Sequence, residues 1–239
     1  MGCDIIFGGR KTQGKIMEEQ DKKTPQEIVY DPSKWEIDDD TLIKYTGNSK
    51  NVIIPDGVTK IEECALNDCD ELKSVRIPTS VIDIAAELNP PPETVFYNGT
   101  LAQWCAVDNS TDIMGTERVI LIGESNLDIK TLTTLKIPDG VTKIGMNAFQ
   151  ECISLESVEF SASVESINPQ AFYKCSNLKS LTIPASVTSI DEYAFEDCDS
   201  LESVTYGGTK EQWDKIEIDE YDNLKNCVIH CTDGDITAE

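Results

Sequence analysis

The chain has 239 residues, of which 44 are acidic and 20 basic, giving a formal net charge of -24, with 39% apolar residues and a single histidine. So acidic a body repels phosphate backbones and anionic lipid, which argues against nucleic acid and membrane surfaces as partners. No window approaches about eighteen uninterrupted apolar residues, so no membrane-inserted segment is expected, and one histidine all but excludes a serine-type triad.

Taken in chain order, residues 1–26 mix glycine with scattered charge and read as a flexible arm. Their apolar patch is too short for a signal peptide, and its basic residues lie on the wrong side, so no export signal is expected. Residues 27–50 read as an N-terminal cap that turns at Asp38, Asp39 and Asp40 and lays Trp35 over the first exposed edge.

From residue 51 to 239 one period dominates. Ile54 and Ile77 stand 23 apart, as do Tyr97 and Ile120, and steps of 23 carry Ile137 to Phe160, Ile183, Tyr206 and Ile229. Two intervals break the rule: 20 from Ile77 to Tyr97, and 17 from Ile120 to Ile137. Self-similarity of this length predicts a leucine-rich repeat solenoid, mixed α/β with mostly short strands, in about nine rungs. The second unit lacks the Ala-Phe-x-x-Cys element and is expected to make an irregular loop at Pro90, Pro91 and Pro92.

One rung can be read from "LKSLTIPASVTSIDEYAFEDC", Leu178 to Cys198. Leu181 and Ile183 alternate as in a strand and face inward with Leu178. Pro184 withholds a ladder donor and turns the chain, Val187 and Ile190 make a second extended stretch, and "DEYAFEDC" predicts one or two helical turns. No rung buries these residues alone, so stacking should place Phe149, Phe172 and Phe195 in one column. Cys69, Cys152, Cys175 and Cys198 share another slot, where a small reduced thiol packs; Cys64, Cys105 and Cys3 have no counterpart.

Residues 97–122 and 206–231 form a variant rung used twice, aligned without a gap at an offset of 109. "GTLAQW" and "GTKEQW" each hold a Thr-x-x-Gln capping box. A short helix should replace the second strand there and carry Trp104 and Trp213 into the core as anchors closing two blocks.

Site chemistry is sparse. Strand alternation sends His230 to the face opposite Cys227 and Cys231, so the three cannot jointly hold zinc; no metal, cofactor or catalytic set is expected. The outward residues Ser74, Arg76, Thr134, Lys136, Ser157, Glu159, Ser180, Thr182, Ser203 and Thr205 instead form small, polar rows across one sheet, the kind of extended face on which solenoids take partners. A protein ligand follows, with the chain a monomer or a weak dimer through an incompletely covered end.

With "LKSLTIPASVTSIDEYAFEDC", "LTTLKIPDGVTKIGMNAFQEC" and "GTLAQW" in view, the chain resembles the BspA-like, treponemal-type leucine-rich repeat family over roughly residues 35 to 235. The resemblance implies a curved solenoid on a bacterial surface or in the secreted fraction, adhesion to host or bacterial proteins, and no enzyme activity. The missing export signal and the reduced cysteines favour the rival expectation, an intracellular interaction scaffold.

Overall fold

The computed structural model describes residues 31–85, 91–109, 116–216, 218 and 222–237. The arm at 1–26, residues 27–30 of the cap, Cys3 and Pro90 lie outside the described residues. From residue 31 onward the chain winds as a solenoid whose rungs recur at about 23 residues.

Within a rung the strand alternation works as the sequence dictates. In Ser180–Ile183, Leu181 and Ile183 are buried while Ser180 and Thr182 face solvent. Beyond Pro184 comes the two-residue strand Ser189–Ile190, whose Ile190 is buried. Each rung therefore contributes to two sheets, a major one from the longer strands and a minor one from the shorter.

The major sheet comes in two parallel blocks. Asn51–Ile53, Ser74–Ile77, Thr94–Tyr97 and Arg118–Leu121 make the first, and Leu127–Asp128 folds back antiparallel onto the last of them. Thr134–Lys136, Ser157–Glu159, Ser180–Ile183, Ser203–Tyr206 and Val228–Cys231 make the second, closed in the same manner by Gly234–Ile236. These nine parallel strands bound about eight turns. A returning antiparallel strand covers an edge that would otherwise recruit other chains. At the start, the hairpin of Trp35–Asp38 with Thr41–Tyr45 does so for the minor sheet, where Thr41–Tyr45 pairs with Lys60–Ile61. Trp35 packs on Tyr45 with ring centroids 4.4 Å apart.

Backbone pairing corrects the period in three places. Tyr97 pairs with Leu121, not Ile120, and Ile229 pairs with Val204, not Tyr206. Within the last strand the gapless alignment of the variant rungs therefore slips by one: Val119, opposite Val95, has Ile229 as its counterpart, and Val228 does not fill that place. The 17-residue interval is no rung at all, because the first major sheet ends there and a hairpin replaces the traverse.

Two local expectations also change. The Ala-Phe-x-x-Cys segments are tight turns, not helices. Asn147, Gln170 and Tyr193, then Glu151, Lys174 and Asp197, all have positive φ near 55–60°, which breaks a helix and swings the intervening amides toward the next rung. Thus Phe149 N donates to Ala171 O and Phe172 N to Ala194 O, each at 2.8 Å. In the first variant rung, helix Leu101–Trp104 precedes the second strand and does not replace it: Asp108–Asn109 still pairs with Asp83–Ile84. Both helices carry the capping box, on Thr100 with Gln103 and on Thr209 with Gln212.

The blocks are joined by backbone and side-chain bonds. Gly145 N donates to Cys105 O at 2.7 Å, and a Cβ on Gly145 would lie 2.1 Å from the Val107 carbonyl oxygen, so only glycine permits this approach. Asp108 accepts from Met146 N at 3.2 Å and pairs with Lys143 at 2.6 Å. The N-terminal hairpin occupies the matching place on the first block, where Tyr45 N donates to Ala65 O at 2.8 Å and Glu62 N to Leu42 O at 2.9 Å. At the far end the column of turns stops at Asp222, whose carboxylate accepts from Phe195 N at 2.9 Å where a further rung's carbonyl would stand.

Candidate protein-binding face

Each major strand except Arg118–Leu121, whose Ile120 is buried, leaves two outward side chains at least partly open to solvent, and parallel pairing sets them in rows. On the second block Thr134, Ser157, Ser180 and Ser203 align in one row, and Lys136, Glu159, Thr182 and Thr205 in the other, which continues to His230. Ser157 Oγ donates to Thr134 Oγ1 at 3.3 Å, and Lys136 Nζ lies 2.8 Å from Glu159 Oε2. His230 Nδ1 lies 2.9 Å from Asp235 Oδ1. These contacts are exposed and weak, worth at most about 1 kcal/mol apiece.

Ser74 and Arg76 do not join those rows. They belong to the first block, beside Asn51 and Ile53 on one side and Thr94 and Phe96 on the other. Ser74 Oγ donates to Asn51 Oδ1 at 2.7 Å. Arg76 sets its guanidinium over the Phe96 ring, 5.2 Å from the centroid, and donates to Asn98 Oδ1 at 3.3 Å. Ile53, 38% exposed, continues the strip.

The small, polar character expected of the whole face therefore holds only for the second block. On the first, an aliphatic stands beside an arginine and an aromatic, and the latter two are residue types enriched at interfaces. Ile53 and Phe96 escaped sequence reasoning although they alternate with buried Val52 and Val95, because hydrophobic residues beside the Ile54 and Tyr97 markers read as core.

Behind the face the core is continuous. Phe172, fully buried, stacks between Phe149 and Phe195 with centroids 5.2 Å away on either side and meets Phe160 edge-on at 5.7 Å. Trp104 and Trp213 are buried against Tyr97 and Tyr206 at 5.3 Å and 5.1 Å. Cys69, Cys152, Cys175 and Cys198 are buried free thiols, as are Cys105 and Cys227. Cys175 Sγ donates to Phe149 O and Cys198 Sγ to Phe172 O, both at 3.3 Å.

Burial pushes the Cys105 thiol up to about 12 and those of Cys69, Cys152 and Cys227 up to about 11; Cys175 and Cys198 are raised by the same desolvation. Such thiols stay protonated, the unreactive form. Cys227 is buried while His230 is exposed on the opposite side of its strand. Among the described residues no group of three or more His, Cys, Asp or Glu is placed to hold a metal ion.

The BspA type leucine rich repeat model matches residues 36–88 and 106–236, in six copies. The chain belongs to that family. BspA-type repeats mark protein-interaction modules in general, and a solenoid of this kind is typically a non-catalytic scaffold.

Solved structures similar to this BspA-type chain include the T. pallidum leucine rich repeat protein TpLRR, at 25% identity and a TM-score of 0.29, covering 69% of this chain and 62% of that one. A leucine-rich repeat protein from Bacteroides ovatus is similar at 24% identity and 0.35, covering 67% and 38%. A leucine rich cell surface protein from Faecalibacterium prausnitzii is similar at 18% and 0.24, covering 75% and 93%. The chain thus spans 62% of the length of the treponemal protein and 38% of the Bacteroides one. No curated protein matches it. No helix among the described residues is long and apolar enough to cross a membrane.

Proposed function

We propose that this BspA-type chain is a non-catalytic adhesion module, displayed on a bacterial surface or secreted, that takes a host or bacterial protein on the outward face of its major sheet. The observation that carries the reading is the strip Ile53, Arg76 and Phe96. There a solvent-facing aliphatic, a guanidinium without an ion pair among the described residues, and an aromatic ring lie on adjacent strands of a rigid parallel sheet. A partner covering the strip removes apolar area from water and offers a carboxylate to Arg76, which has no ion pair among the described residues.

The second block supports the same reading differently. Its rows of serine and threonine hydroxyls extend the contact with adaptable hydrogen-bonding groups. Family membership supports display outside the cell. The eight free cysteines among the described residues favour the alternative, an intracellular interaction scaffold using the same face; cell fractionation separates the two.

Capture from host extracellular and bacterial surface proteins, with the full chain as bait, tests the module. A partner retained by the native chain and lost with Ile53→Ser/Phe96→Ser is the expected outcome. Equal retention by both chains contradicts this face.

A further inference from the structure

Each block of the major sheet begins on a strand with one unpaired side, Asn51–Ile53 in the first and Thr134–Lys136 in the second. The N-terminal hairpin pairs into the minor sheet at Lys60–Ile61 and leaves the outer edge of Asn51–Ile53 bare among the described residues. Parallel pairing decides which backbone groups stand free there. Ser74 N donates to Lys50 O and Ile54 N to Arg76 O, both at 3.0 Å, so Lys50 and Ile54, with Val52 between them, turn these groups toward the neighbouring strand. By alternation the N–H and C=O groups of Asn51 and Ile53 aim the other way, where no described strand stands.

The two edges differ in their defence. Lysine is a common means of keeping an edge from pairing with another chain, and Thr134–Lys136 carries one whose side chain is 70% exposed. Asn51–Ile53 is uncharged, and its outward side chains are an amide and an aliphatic. Its free groups are also self-complementary. A second copy laid antiparallel about a twofold axis through Val52 sets Asn51 opposite Ile53 of that copy and Ile53 opposite its Asn51. Every outward N–H of one edge then meets an outward C=O of the other.

We infer that the protein associates with a second copy of itself through this edge, as a twofold dimer whose major sheets join into one with their outward faces on the same side. This goes beyond the interaction role proposed above and does not require the strip at Ile53, Arg76 and Phe96 to be the partner-binding face. The edge strand has only three residues, so the contact is small and the dimer weak. Two bodies of formal net charge -24 repel each other, so screening by salt strengthens it.

The full chain labelled with 15N, taken from about 10 μM to about 1 mM, tests this by sedimentation and by residue-resolved amide exchange. A dimer that grows with concentration, and more readily at high salt, is expected, with exchange slowing about threefold or more at Asn51 and Ile53 and not at Thr134 and Lys136. Ile53→Lys enters the interface twice by symmetry and should weaken association about tenfold. Asn51→Pro should weaken it at least as much, because proline removes an outward N–H at an edge where the fold itself tolerates it. Thr134→Lys on the other edge should leave association unchanged. So should Phe96→Ser, which separates failure of the dimer from failure of the face. A chain that stays monomeric throughout, a dimer that survives both Ile53→Lys and Asn51→Pro, or Asn51 and Ile53 amides already protected at the lowest concentration would overturn the assignment.

Discussion

The indole Nε1 of Trp104 donates to the carbonyl oxygen of Ala148, 44 residues downstream, at 2.7 Å. Through that bond the variant rung ending the first block is tied to the first turn of the second. Trp213, in the same motif, packs on its tyrosine almost identically but has no such acceptor among the described residues. Trp104→Phe should therefore cost about 1–3 kcal/mol more than Trp213→Phe, since only the former leaves a buried carbonyl without its donor. Urea unfolding of the two variants measures the difference, and equal losses would mean that the bond adds nothing.

Phe172 has a stacked ring on both sides, whereas Phe149 and Phe195 each have one. Phe172→Ala should cost about 3–5 kcal/mol through the cavity it leaves, more than Phe149→Ala or Phe195→Ala. A midpoint unchanged from the native chain would contradict the column.

Asp222 ends the column of turns by accepting from Phe195 N at 2.9 Å and Leu224 N at 3.0 Å, one with each carboxylate oxygen. Asp222→Ala strands two buried amides and should cost about 2–4 kcal/mol. Asp222→Asn keeps one acceptor oxygen and should lose roughly half as much. Identical losses in thermal unfolding would assign the effect to packing.

The buried thiols set an alkaline limit. Their folded pKa values are raised by desolvation to about 11 at Cys69, Cys152 and Cys227, against about 8.5 for a thiol in the unfolded chain. Above that lower value the unfolded chain has shed protons that the folded chain still holds, so stability falls as pH rises. The contribution is complete below about pH 8.5 and is lost as pH climbs through about 11. Unfolding midpoints should be level from about pH 6 to 8 and decline beyond about pH 9, with Cys105→Ala/Cys152→Ala showing a shallower decline. Native-state alkylation near pH 8 should label exposed Cys64 and spare Cys152, Cys175 and Cys198.

Much of this was legible in the sequence because burial repeats. The stacked phenylalanines and the thiol slot each depend on one side chain recurring at one rung position, the capping boxes on a Thr-x-x-Gln motif repeated at an offset of 109, and the strand pattern of Leu181 and Ile183 follows from alternation alone. Register in the variant rungs was not legible, since backbone pairing, and not the identity of the marker residue, decides whether Tyr97 meets Ile120 or Leu121. Nor was the break after Arg118–Leu121, because a hairpin and a shortened rung leave the same 17-residue trace. Asp222 carries no repeat signal: it substitutes for a missing rung, and an end can be recognised only once the stack is built. The strip at Ile53 and Phe96 was hidden for the opposite reason, as apolar residues in a strongly periodic chain look like more core.

Hydroxyl-radical footprinting of the chain alone and with a captured partner tests the binding face most directly, because the chain carries its own reference residues. Ile53 and Phe96 report the major face, and Ile82, 61% exposed, lies beside the minor strand Asp83–Ile84. Protection of Ile53 and Phe96 with Ile82 unchanged is the predicted result. Protection of Ile82 while Ile53 and Phe96 remain as reactive as in the free chain would contradict it.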